Sequence, residues 1–72
     1  MRVVVTGAAG FVGTHLLTLL VRGGHDVHAL TLPEEKLPPE LREVPRHACD
    51  VTDATTLENV LADVHPDWIA HL

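Results

Sequence analysis

The stretch Val3-Val4-Val5-Thr6-Gly7-Ala8-Ala9-Gly10-Phe11-Val12-Gly13 decides how the rest of this sequence is read. Val3 to Thr6 is a short β-branched run closed by Gly7, the pattern of a strand buried on both faces. Directly after it, Val12, Leu16, Leu17, Leu19, Leu20 and Val21 fall at helical spacing and predict a helix over Phe11–Arg22. Three glycines spaced G-x-x-G-x-x-G thus join a strand to a helix. There each has its own task. Gly7 permits a tight turn, Gly10 lets the backbone approach a diphosphate with no Cβ in the way, and Gly13 allows close helix–strand packing. The helix start adds free N–H donors and partial positive charge, which favour an anion. This is a variant of the G-x-G-x-x-G dinucleotide pattern. The plainer reading is a strand–helix turn with packing glycines, and the matches further along the chain weigh against it. No Lys-Ser or Lys-Thr follows the glycines, which argues against a P-loop nucleotidase.

Outward from this loop the chain keeps alternating. The first helix is apolar over most of its circumference, so burial against a sheet is expected. Arg22 suits its last turn, and Gly23-Gly24 supplies a left-handed stop. Asp26–Thr31 reads as a second strand. Leu32 to Pro45 holds four of the five prolines and four of the ten acids, which makes it a surface connection. Leu37 and Leu41 are placed to anchor one short helical turn within it. Arg46–Cys49 is a third strand. Thr52 is read as an N-cap with Asp53 in the first turn, before Leu57, Val60, Leu61 and Val64 at i, i+3, i+4 and i+7. Pro66 ends this second helix, and Trp68–Leu72 forms a fourth strand. The expected class is α/β: the N-terminal half of a Rossmann doubly wound parallel sheet, strand order 3-2-1-4, with helices on opposite faces. In that order a crevice opens at the carboxyl ends of the first and fourth strands, where such sheets bind ligands.

Composition narrows the function. At 72 residues the chain makes at most one small domain, and with one Phe, one Trp and no Tyr its core is built from small aliphatics. A formal charge of −5 without a Lys/Arg cluster excludes nucleic acid as the expected partner. Backbone N–H groups still serve a small phosphate ligand. The opening apolar run is too short for a signal sequence or a membrane span, and the single Cys49 fits a reducing compartment, so a cytoplasmic protein without membrane attachment is expected.

Three segments resemble the NAD-dependent epimerase/dehydratase family, the extended short-chain dehydrogenases/reductases that act on nucleotide sugars. They are Val4-Val5-Thr6-Gly7-Ala8-Ala9-Gly10-Phe11-Val12-Gly13-Thr14-His15-Leu16, then Cys49-Asp50-Val51-Thr52-Asp53, then Pro66-Asp67-Trp68-Ile69-Ala70-His71-Leu72. The resemblance implies a cofactor, NAD or NADP, and assigns it to particular residues. Gly7, Gly10, Phe11 and Val12 would line the pyrophosphate, with Gly13 chiefly structural. Asp50 and Val51 would lie beside the adenine, and Leu72 near the middle and nicotinamide side. The plainer reading of Asp50 is a turn acid before the helix. Thr31 occupies the position at the end of the second strand where NAD-using relatives carry an acid and NADP users tend to carry Arg. Having neither, it leaves NAD and NADP both open, with Glu34, Glu35 and Lys36 just beyond.

The family's hydride chemistry uses a Tyr-x-x-x-Lys pair with a nearby Ser or Thr. This sequence has no Tyr and a single lysine, Lys36, so no catalytic residue is assigned and the catalytic and substrate-binding parts are expected beyond residue 72. The complete protein is expected to be a homodimeric epimerase, dehydratase or reductase that transfers a hydride at a sugar carbon of a nucleotide-sugar substrate. The alternative is a non-catalytic NAD(P)-sensing regulatory module of the same fold. Of the six histidines, His25 and His28 point to opposite faces of a strand, and His15, His47, His65 and His71 fall on separate elements. No metal site is expected. His71 reads as a packed, hydrogen-bonded strand residue, and Trp68 as core or interface packing.

Overall fold

Four parallel strands in the order β3-β2-β1-β4 carry the structure, a computed structural model that describes residues 1–72. They are β1 (Arg2–Thr6), β2 (Asp26–Thr31), β3 (Arg46–Ala48) and β4 (Trp68–His71). Helix α1 (Phe11–Arg22) joins β1 to β2, and helix α2 (Ala54–Val64) joins β3 to β4. The β2–β3 connection holds a single 3-10 turn at Pro39–Leu41, with Leu41 buried and Leu37 packed beside it.

The valines of β1 form the centre, none of Val3, Val4 and Val5 having any exposed surface. Val4 lies in register beside His28 of β2 and Ile69 of β4. Successive strand residues face opposite ways, so β1 serves two cores. Val3 and Val5 meet Leu17 of α1 with Val27 and Ala29. Val4 meets Leu30, Cys49 and Val64 of α2. The helices therefore lie on opposite faces, as right-handed crossovers running in opposite directions require.

Helix α1 packs on the sheet as expected, but along one stripe only. Gly13 and Leu17 are buried and Leu16 and Leu20 pack beside them, while Phe11, Val12, Leu19 and Val21 are exposed. A sheet covers one stripe of a helix, and the connection adds only Leu37 and Leu41 next to that stripe. Burial of Leu17 contributes about 1.5–3 kcal/mol. The helix stops where expected: Gly24 has φ 81°, and the Gly23 and Gly24 N–H groups donate to the carbonyls of Leu19 and Val21.

Helix α2 packs Leu57, Val60, Leu61 and Val64 as the spacing predicts. Its N-cap, however, is Asp53 and not Thr52. The Asp53 carboxylate accepts from Thr56 N at 3.3 Å and from Thr56 Oγ1 at 2.8 Å. Thr52 is drawn instead into a turn by Asp50, to which its hydroxyl donates at 2.7 Å. His65 ends α2 in the left-handed region at φ 51°, because the residue before Pro66 is barred from continuing the helix.

Arg2 ties the lower edge of the sheet together. Its Nε donates to Asp26 at 2.9 Å, and its Nη1 donates to the last helical carbonyl of α2, on Val64, at 2.7 Å. The same guanidinium holds the Asp26 carboxyl below its usual range.

Candidate functional site

The glycine loop places its three glycines in three different environments. Gly7 sits at φ 63°, where a side chain is strained, and a Cβ there would meet the Leu72 carbonyl oxygen at 3.3 Å. Gly13 is pressed against the loop, so that a Cβ would overlap the backbone of Gly7 and reach 2.7 Å from the Ala8 Cα. Gly10 is different. Its φ of −73° is open to any residue, and a Cβ would meet nothing closer than the Gly7 carbonyl oxygen at 3.5 Å. Folding alone does not ask for glycine at this position.

Gly10 is also the N-cap of α1, and no side chain caps that helix. The Gly10 N–H donates back to Gly7 and the Thr14 N–H to Gly10, but the N–H groups of Phe11, Val12 and Gly13 have no acceptor in the chain. Phe11 and Val12 are exposed, and no acid lies in the first turn. Helix α2 uses its own Asp53 for this purpose. The open end of α1 can therefore donate to a negatively charged group.

Next to the loop lies a depression of about 290 Å³ at the carboxyl ends of β1, β2 and β3. It brings together Gly7, Thr31, Asp50 and Val51 of the sequence-derived set, with Glu35 and Cys49. Asp50 plays the turn role and keeps spare capacity. Its Oδ1 takes both the Thr52 N–H, at 2.9 Å, and the Thr52 hydroxyl. These bonds hold its carboxyl below the usual range, and Oδ2 remains without a partner in the chain. Thr31 is buried, and its hydroxyl accepts from Arg46 Nη1 at 2.8 Å. Burial pushes the Cys49 thiol up, with Asp53 and Asp50 adding to it, so this cysteine is no nucleophile.

Leu72 borders the loop from the β4 side, its N–H donating to Thr6 Oγ1 at 3.3 Å. Thr6 also shares a 2.6 Å hydrogen bond with His71 Nδ1, so His71 is hydrogen-bonded as expected but, on the outer strand, exposed and not packed. Trp68, expected to pack, is more than half exposed.

Two features escaped the sequence. Glu35 belongs to the depression because Pro33, at the second position of a four-residue turn, folds the chain back so that the Glu35 N–H reaches the Leu32 carbonyl at 3.0 Å. His28 and His47, on separate elements in sequence, meet across neighbouring strands with Nδ1 and Nε2 3.0 Å apart. No cluster of three ligating side chains forms around them. No helix is long and apolar enough to cross a membrane.

Known proteins share this arrangement. The model of the NAD dependent epimerase/dehydratase family matches residues 3–72. The UDP-glucose 4-epimerase of Bifidobacterium longum is 34% identical over 96% of this chain, and the 3-beta-hydroxysteroid dehydrogenase of Mycolicibacterium neoaurum is 38% identical over 88%. The crystal structure of the B. longum UDP-glucose 4-epimerase in complex with NAD+ and UDP is similar over 100% of the chain, with a TM-score of 0.86 and 32% identity. This chain spans 23% and 16% of the lengths of those two relatives and 24% of the crystallised epimerase. Matched from its first strand to its last residue, it belongs to the NAD dependent epimerase/dehydratase family.

Proposed function

We propose that this chain is the cofactor-holding segment of an epimerase, dehydratase or reductase that acts on nucleotide sugars. Gly10 carries the cofactor half of this reading. The fold has room for a side chain there and the backbone angle allows one, yet the position is glycine, beside three N–H groups without acceptors. A diphosphate needs that bare surface and those donors. The residues present fit a dinucleotide.

The N–H groups of Phe11 and Val12 donate to the diphosphate oxygens. Gly13 keeps α1 pressed on the loop, which fixes the direction of those donors. Asp50 receives the exocyclic amine of adenine on its free Oδ2, Val51 packs beside the ring, and Leu72 borders the middle of the dinucleotide. A dinucleotide held by these residues would supply reversible hydride transfer at a sugar carbon. Proton transfer in that reaction falls to residues outside these 72, which contain no tyrosine. The nucleotide-sugar half is supported by the epimerase relative and by the neighbouring crystal structure in complex with NAD+ and UDP.

The test is turnover by the full-length protein. Incubated with UDP-glucose or GDP-mannose and followed by proton NMR, it is expected to give the 4-epimer or a 4-keto product. Oxidation of a 3β-hydroxysteroid with no change in any nucleotide sugar would overturn the substrate class. Binding of NAD without turnover of either would favour the sensing module.

A further inference from the structure

We propose that Glu35, and not the residue closing β2, is the carboxylate that receives the adenosine ribose hydroxyls and sets a preference for NAD over NADP. This assignment rests on the dinucleotide reading above and adds a residue to it. In doubly wound sheets an acid near the end of the second strand accepts from the ribose diol. Here that strand ends in Thr31, which is 2% exposed and whose hydroxyl is occupied by Arg46.

The chain then turns back on itself. Glu35 N donates to the Leu32 carbonyl at 3.0 Å, and Leu32 N donates to Glu35 Oε1 at 2.8 Å. Both bonds return the Glu35 side chain to the end of β2, where it forms part of the same wall as Gly7, Thr31 and Asp50. Its Oε2 has no partner in the chain. Arg46 supports this turn: its Nη1 donates to the Glu35 carbonyl at 3.1 Å as well as to Thr31, and its side chain is not among those lining the depression.

The depression therefore offers two carboxylates, Glu35 and Asp50, and no cation. Such a wall suits groups that donate hydrogen bonds, namely a ribose diol and an adenine amine. A 2′-phosphate would bring two further negative charges against it. The rival candidate is Arg46, which would favour that phosphate if its guanidinium turned into the site.

Calorimetric titration of the full-length protein with NAD and with NADP separates these. Wild type is expected to bind NAD more tightly. Glu35→Gln keeps an acceptor for the Leu32 N–H, so its melting midpoint should match wild type. It should nevertheless narrow the ratio of the two dissociation constants by about tenfold, the difference between a charge-assisted and a neutral hydrogen bond. Glu34→Gln, one residue away and outside the depression, should leave the ratio unchanged. An unchanged ratio in Glu35→Gln overturns the assignment. So does a wild-type preference for NADP that disappears in Arg46→Met. If wild type binds neither dinucleotide, the reading beneath the assignment fails instead.

Discussion

Replacing Gly10 and Gly13 separately by alanine should give opposite phenotypes, although the two glycines stand three residues apart in one loop. At Gly13 the new methyl would overlap the Gly7 backbone and lie 2.7 Å from the Ala8 Cα, so loop or helix must move. Forced insertion of this kind costs about 1–3 kcal/mol and occasionally more; with backbone atoms on the opposing side we expect about 3 kcal/mol. For a domain of roughly 150–250 residues that lowers the melting midpoint by about 6 °C or more. At Gly10 the methyl would meet its nearest atom at 3.5 Å, an ordinary contact. Alanine is a poorer N-cap by about 1 kcal/mol, partly offset by about 0.4–1 kcal/mol from a stiffer unfolded chain. Gly10→Ala should thus melt within about 2–4 °C of wild type. Binding reverses the order of specificity. A methyl where the diphosphate approaches should weaken NAD by about 10–100-fold at unchanged fold, if the overlap costs about 1–3 kcal/mol. Differential scanning calorimetry and NAD titration on the same preparations read both quantities. Wild-type affinity in Gly10→Ala would refute the placement of the diphosphate, and a wild-type midpoint in Gly13→Ala would refute the packing.

Three further outcomes follow from contacts away from the loop. Arg2→Met removes the bonds to Asp26 and to the Val64 carbonyl and should lower stability by about 1 kcal/mol, read from the urea midpoint. Asp53→Ala leaves α2 uncapped and should cost about 1 kcal/mol by the same assay, whereas Thr52→Ala should cost less, since Thr52 does not cap the helix. Burial, and then the neighbouring His28, hold His47 below the ordinary value of 6.5. The folded state thus binds this proton less readily than the unfolded state. The contribution to stability is full above pH 6.5 and is lost as the pH falls through the folded value of His47. Melting midpoints across this range should fall toward acid in wild type and fall less in His47→Gln.

Patterns local in sequence revealed most of the fold. The β-branched run before Gly7, the stripe from Leu57 to Val64 and the Gly23-Gly24 stop each concern neighbours along the chain, and for the strand order 3-2-1-4 the handedness of crossovers then put the two helices on opposite faces. What could not be read depended on competition or on distance. Thr52 and Asp53 are both good caps by type, and only the Asp50–Thr52 turn decides between them. The apolar far side of α1 looked like a buried surface because composition does not say how many layers cover a helix. His28 and His47 are 19 positions apart and meet only because β2 and β3 pair in one register. Of the residues that line the depression, Gly7, Thr31, Asp50 and Val51 were already named from the ends of the strands. Glu35 was hidden inside a proline-rich connection, and its place in the depression came from a turn and a long reach by Arg46.

A crystal structure of the full-length protein grown with NAD tests the central claim most directly. The diphosphate oxygens should lie about 2.7–3.2 Å from the N–H nitrogens of Phe11 and Val12, over Gly10, with the adenine beside Asp50 and Val51. A dinucleotide bound elsewhere, with the start of α1 turned away from its phosphates, would contradict it.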